Sequence, residues 1–159
     1  MIFVTVGGQL PFDRLIRGVD RWAGEEGRND IFAQIGRSAF RPRHIRYTHF
    51  LAPPDFRRRL DEAEYVISHA GIGTMLTALE RGKPLLVVPR QARFGESVNE
   101  HQVATAGHFA AQGKLVLALS EEEVSERFEA LKTLPIVPRI PPHAPESLLS
   151  RIRAFAFEP

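Results

Sequence analysis

Apolar positions in this chain come in short solid blocks separated by longer amphipathic stretches. Residues 2–6 (IFVTV), 31–35 (IFAQI), 65–68 (YVIS), 85–88 (LLVV) and 114–119 (KLVLAL) are apolar almost throughout. Runs of this kind read as strands buried on both faces, the habit of parallel sheets. Residues 44–51 contain a further strand. Between the blocks the period changes to that of a helix. Over residues 11–22, Phe12, Leu15, Ile16 and Val19 share one face, and Pro11 sits in the first turn. Pro53-Pro54 opens a helix that runs to about Ala63. Another helix holds residues 74–81 and is ended by Gly82. A fourth runs over about 99–112, and Ser120 caps a fifth that begins EEEV. Strand and helix alternate for most of the length, which predicts an α/β fold, a doubly wound parallel sheet. We expect a single domain over 1–159, with a ligand-binding core over 1–133. Residues 134–145 form a connector rich in proline, and 146–156 a last helix. On that helix Leu148, Ile152 and Phe155 fall at i, i+4 and i+7, one apolar stripe. It either packs on the chain's own sheet or docks a partner.

Composition narrows the class. The 159 residues are 43% hydrophobic and 25% charged, as in ordinary globular proteins. Cysteine is absent, which excludes disulfides and Cys-ligated metals and fits a reducing cytoplasm. The six histidines show no metal-binding spacing, so no metal site is expected. MIFVTVGGQLPFDRL has neither a basic n-region nor a long apolar core, and no later run approaches a membrane span. Positive charge is carried almost wholly by arginine, since Lys83, Lys114 and Lys132 are the lysines. Arginine suits bidentate binding of phosphate, though a solvated surface biased toward arginine reads the same way. Arg57-Arg58-Arg59 lies beside Asp61-Glu62, too short and mixed a run to argue for nucleic acid.

Candidate chemistry gathers after the strands. In an open parallel sheet, ligands bind beyond the carboxyl ends of the strands. Two glycine-rich turns fall there: Gly7-Gly8-Gln9, and His69-Ala70-Gly71-Ile72-Gly73-Thr74. Glycine lets backbone N–H groups approach an anion, and a following helix adds its dipole; the alternative is that the glycines only make tight turns. The standard fingerprints fail. Leu76 replaces the third glycine of G-x-G-x-x-G, and Gly82-Lys83 is followed by Pro84 rather than Ser or Thr. A phosphate-bearing ligand is therefore expected, without NAD or P-loop chemistry and without a separate cofactor. A third cluster, GESVNEHQ over 95–102, places Asn99, His101 and Gln102 at one helix start. Such side chains suit sugar hydroxyls; they equally make a polar first turn. His69 is a candidate general base, but a histidine at a strand end is as often structural.

Taken in order, VTVGGQLPFDRL, SHAGIGTMLTALERGKPLLVVPR and GESVNEHQ resemble the C-terminal, donor-binding domain of family 28 glycosyltransferases. The likeness covers about residues 1–119. It is strongest to the stand-alone form, the small donor-binding subunit of two-subunit UDP-sugar transferases of exopolysaccharide and dolichol-linked GlcNAc synthesis. The resemblance implies a Rossmann-like half of a GT-B fold that binds a UDP-sugar. It implies that the turn at His69, Ala70, Gly71, Gly73 and Thr74 meets the diphosphate. Gly7, Gly8 and Gln9 would border the donor and acceptor side, Gln34 and Gly36 the uracil, and Asn99, His101 and Gln102 the donor sugar. Thr77 stands where many relatives carry a ribose-binding glutamate, a departure that puts the nucleotide in question; Glu80 lies one turn further on. The implied activity is metal-independent, inverting hexosyl transfer to a lipid-linked acceptor. A membrane-anchored partner subunit would supply the rest of the cleft and hold this chain at the cytoplasmic membrane face. A sugar-nucleotide-binding module without catalysis, or half of a GT-B-type UDP-sugar epimerase, are the alternatives.

Overall fold

The computed structural model describes residues 1–134 and 139–157. Six parallel strands form one sheet in the order β3-β2-β1-β4-β5-β6. They are β1 (Ile2–Thr5), β2 (Ile31–Gln34), β3 (Arg46–Thr48), β4 (Tyr65–Ser68), β5 (Leu85–Val87) and β6 (Val116–Leu117). The helices are α1 (Asp13–Glu25), α2 (Pro53–Glu62), α3 (Ile72–Glu80), α4 (His101–Ala111), α5 (Val124–Thr133) and α6 (Glu146–Phe157). The period of two along β1 splits the core. Ile2 and Val4 face a cluster with Leu15, Ile16 and Trp22 of α1 and Phe128 of α5. Phe3 faces the other side, with Leu60 of α2, Met75 and Leu79 of α3 and Ala106 of α4. Helices cover both faces, so the doubly wound expectation holds.

Local boundaries differ in instructive ways. Helix α1 starts at Asp13 rather than Pro11, because the Pro11 carbonyl is taken by Arg90 and Phe12 is buried outside the helix. Helix α3 starts at Ile72, inside the glycine turn, so the turn itself is the helix N-terminus. Strand β6 is an edge strand of two residues; the expected remainder joins its neighbours singly, as Lys114 N–H donates to Phe109 O and Ala118 N–H to Val87 O. Ser120 makes no side-chain cap. A 3-10 turn at Glu121–Glu123 comes before α5, and the Ser120 hydroxyl lies 3.4 Å from Glu123 Oε1. The arginine run pairs with its own helix, Arg58 with Asp55 and Arg59 with Glu62, and Arg59 also stacks over Phe32.

Pro135 and Pro138 lie outside the described residues. Beyond them Ile140 donates its N–H to Leu79 O at 3.3 Å and packs against the second core cluster. Helix α6 buries none of its residues, and Phe155 is 92% exposed. The stripe of Leu148, Ile152 and Phe155 therefore does not pack on the sheet. No described helix is long and apolar enough to cross a membrane.

Candidate functional site

The strand order reverses between β1 and β4, and chains leaving those two strands diverge to opposite faces. A crevice must open there at the carboxyl edge. It does, as a cleft of about 510 Å³ walled by residues 6–10 after β1, His69 after β4, the first turn of α3, and Arg90 to Gln102 after β5.

Helix α3 presents its N-terminus to this cleft. The first intrahelical bond runs from Met75 N–H to Gly71 O, so the N–H groups of Ile72, Gly73 and Thr74 precede the helix ladder and point outward, positive end first. Gly71, Ile72, Gly73 and Thr74 all line the cleft. A Cβ added at Gly73 would meet nothing within 4 Å, which leaves room for a ligand atom against the backbone.

His69 explains the other two glycines. Its imidazole lies between the turns, 2.9 Å from where a Gly7 Cβ would stand and 2.2 Å from a Gly71 Cβ. Gly7 also has φ +74°, a left-handed value that favours glycine. These two positions are glycine to admit the ring, whereas Gly73 is open. Burial, reinforced by the Arg90 charge, pushes His69 down to about 4, so the ring is neutral at pH 7. Its Nδ1 is buried without a hydrogen-bond partner.

Of the residues singled out from the sequence, Gly7, Gly8, Gln9, His69, Gly71, Gly73, Thr74, His101 and Gln102 meet at this cleft. Five do not line it. Gln34 is buried, its side-chain oxygen accepting Leu51 N–H at 3.0 Å. Gly36 is buried at φ +57°, where a Cβ would strike Gly7 O. Ala70 belongs to the core. The Thr77 hydroxyl bonds back to Gly73 O at 2.7 Å, satisfied within the helix. Asn99 is exposed and turns its oxygen to the His101 N–H.

Sequence reading missed Arg90, Glu96 and Arg14. Arg90 follows Pro89 at the end of the LLVV strand and is 3% exposed; a lone charge directly after a buried parallel strand was the available signal. Glu96 lines the cleft but is committed elsewhere. Both its oxygens take the Arg14 guanidinium at 2.9 Å, and Oε2 also accepts Gln91 N–H. Arg14 continues to Glu121 at 2.9 Å and to Pro89 O. Burial and these two carboxylates act in opposite senses on Arg14, and the net effect raises it. Much of the GESVNEHQ motif is thus loop architecture, since Glu100 likewise accepts Ala92 N–H. Among the described residues no cluster of His, Asp or Glu could hold a metal ion.

A parallel sheet reversing at β1, with a glycine-lined helix N-terminus over the reversal, defines a Rossmann-like α/β half-domain. The chain belongs to the glycosyltransferase family 28 C-terminal domain, whose family model matches residues 1–135. It is 33% identical over 123 residues to the UDP-N-acetylglucosamine transferase subunit ALG13 of Mus musculus, covering 71% of this chain and 10% of that protein. The chain thus spans about a tenth of the length of this curated relative. The solution structure of ALG13 superposes with a TM-score of 0.61 at 19% identity, covering 95% of this chain and 93% of that one. The glycosyltransferase of kitacinnamycin superposes at 0.63 and 17% identity over 86% of this chain and 36% of that one. At these identities the structures establish the fold alone, one half of a GT-B fold.

Proposed function

We propose that this chain is the UDP-sugar-binding subunit of an inverting glycosyltransferase. It works without a metal ion, in lipid-linked polysaccharide assembly, and delivers a hexosyl residue to a lipid-linked acceptor held by a membrane-associated partner. The observation that carries this reading is the open backbone at Gly73 on the α3 N-terminus, at the strand reversal. The diphosphate would lie across the first turn of α3. The N–H groups of Ile72, Gly73 and Thr74 would stabilise the charge that grows on departing UDP, donors already fixed in place before the reaction. His69, neutral at pH 7 and packed between Gly7 and Gly71, would keep the two turns at the right separation. His101 and the Gln102 amide would reach the sugar from the far wall. The likeness to a mouse UDP-N-acetylglucosamine transferase subunit makes UDP-N-acetylglucosamine the first donor to test.

The non-catalytic alternative draws on one observation. Two of the acid–base groups at the cleft are poorly suited to act as the base: Glu96 is held by Arg14 and His69 is weakened to about 4, which leaves His101, exposed at the rim and turned to Asn99. The acceptor hydroxyl would then be deprotonated from the partner's side, or not at all. Calorimetry with UDP-, GDP- and dTDP-sugars tests binding. Transfer to a lipid-linked acceptor, with and without a membrane-anchored partner, tests catalysis. Selective binding of UDP-sugars with transfer only when the partner is present is the expected result. Absence of UDP-sugar binding overturns the reading.

A further inference from the structure

Arg90 stands at the carboxyl end of β5 and reaches across to the loop after β1. Its Nη1 donates to Pro11 O at 2.6 Å, and its Nη2 to Val6 O at 2.7 Å and Leu10 O at 2.8 Å. These acceptors bracket residues 7–10, the cleft wall that faces α3. The guanidinium lies 4.8 Å from the Phe12 ring centroid. The Arg90 backbone N–H donates to Gln102 Oε1 at 3.1 Å. One residue thus joins the β1 loop, the end of β5 and the start of α4. Every side-chain partner in this set is a neutral carbonyl. Among the described residues Arg90 forms no ion pair; Glu96, whose oxygens are bonded to Arg14, acts on it only through space, and burial outweighs that pull, so Arg90 is lowered on balance. A buried cation without a carboxylate is costly unless an anion completes it.

We propose that Arg90 is a positioning residue for the donor, holding residues 7–10 against the α3 N-terminus with a charge that is balanced by the ligand's phosphates. The proposal rests on the UDP-sugar reading above. Gly7 and Gly71 are the two walls between which His69 fits, and Arg90 fixes the Gly7 wall from behind. The field of the same cation reaches the cleft, where it helps keep His69 neutral. Glu96 and His101 are the other titratable groups that line the cleft.

The test compares wild type, R90K and R90M for binding of UDP and of uridine by calorimetry at two salt concentrations. It also follows the His69 ring through its pH titration by NMR. Wild type should bind UDP more tightly at low salt. R90M, folded by near-ultraviolet circular dichroism, should lose about tenfold or more in UDP affinity, the size of one lost charged contact. It should lose less for uridine, and the His69 midpoint should rise toward the ordinary histidine value. R90K should keep the low His69 midpoint and the salt dependence while binding UDP more weakly than wild type. A folded R90M with unchanged UDP affinity overturns the proposal. So does an equal loss for UDP and uridine with an unmoved His69 midpoint, which would make Arg90 a packing residue. Should R90M not fold, R90K decides: wild-type affinity in R90K overturns the positioning role. A wild-type protein that binds no UDP overturns the nucleotide reading itself, a result distinct from any of these.

Discussion

Replacing Gly73 with valine separates the phosphate reading from simple turn-making. The position is helical and open, with nothing within 4 Å of an added Cβ. Valine is no worse a helix former than glycine, the two differing by a few tenths of a kcal/mol in valine's favour. Folding should therefore be unaffected. The ligand should not be. A branched side chain here covers the N–H groups of the first turn, and each charged hydrogen bond lost costs about 1.5–3 kcal/mol, or roughly tenfold to a hundredfold in affinity. The assay is a pair of melts with and without UDP. At ten times the dissociation constant, UDP adds about 1.4 kcal/mol to the wild type, which raises its Tm by roughly 3–6 °C for a chain of this length. Gly73→Val should melt where the unliganded wild type melts and show no shift with UDP. Gly71→Ala supplies the contrast. Its Cβ falls 2.2 Å from His69 Nε2, so it should lower Tm before any ligand is added. A folded Gly73→Val protein with the wild-type UDP shift would refute the phosphate assignment.

Three further outcomes are expected. Gln102→Ala strips the acceptor from the buried Arg90 N–H, so it should cost about 1–3 kcal/mol of stability in denaturant melts and weaken UDP together with UDP-sugar; an effect confined to the sugar would place the Gln102 amide on the sugar alone. Because His69 is depressed to about 4 against an unfolded value near 6.5, the unfolded chain binds the extra proton between those values. That contribution is complete above pH 6.5 and is lost as pH falls toward 4, about 3 kcal/mol in all; His69→Gln should flatten this stretch of the stability profile, and an unchanged slope would show the ring to be exposed. Removing residues after His143 deletes a helix that buries none of its residues, so Tm and UDP binding should stay as in the full chain while copurification with a membrane-anchored partner is lost; retained copurification would assign the docking elsewhere.

The sheet was legible because its strands are buried on both faces, and burial on both faces leaves an unmistakable mark on composition. Solid runs such as LLVV and IFVTV have no other economical explanation. The edge strand β6 and the start of α1 were less so, since both are set by tertiary partners, Val87 O for Ala118 and Arg90 for Pro11. The glycine turns were visible as glycines, but their division of labour was not. That Gly7 and Gly71 make room for a ring while Gly73 stays open depends on where His69 points, which no spacing encodes. GESVNEHQ was legible only in part for a related reason. Glu96 and Glu100 are acids in a polar motif, yet their partners, Arg14 and the Ala92 N–H, are fixed only by the fold. Arg90 escaped notice because its partners are carbonyls 79 to 84 residues away.

Under the proposed function, the described cleft offers donors that would grip the diphosphate of a leaving group and little that could activate a nucleophile. Backbone donors at α3 and a buried guanidinium favour negative charge on the ligand. The one carboxylate lining the cleft, Glu96, has both oxygens engaged with Arg14. The imidazole packed between the turns, His69, is pushed down to about 4 by burial and by the Arg90 charge, a weaker base than an ordinary histidine. His101 is exposed at the rim, its Nδ1 against Asn99 Oδ1. Such an inventory suits donor binding and departure of UDP, and leaves deprotonation of the acceptor to groups outside these residues. The same division accounts for α6. A helix with Leu148, Ile152 and Phe155 on one side and no core beneath it is costly to leave in water. Under the proposed function, that stripe belongs against the subunit that brings the acceptor and its base, so the feature that completes the chemistry and the feature that covers the helix are the same partner.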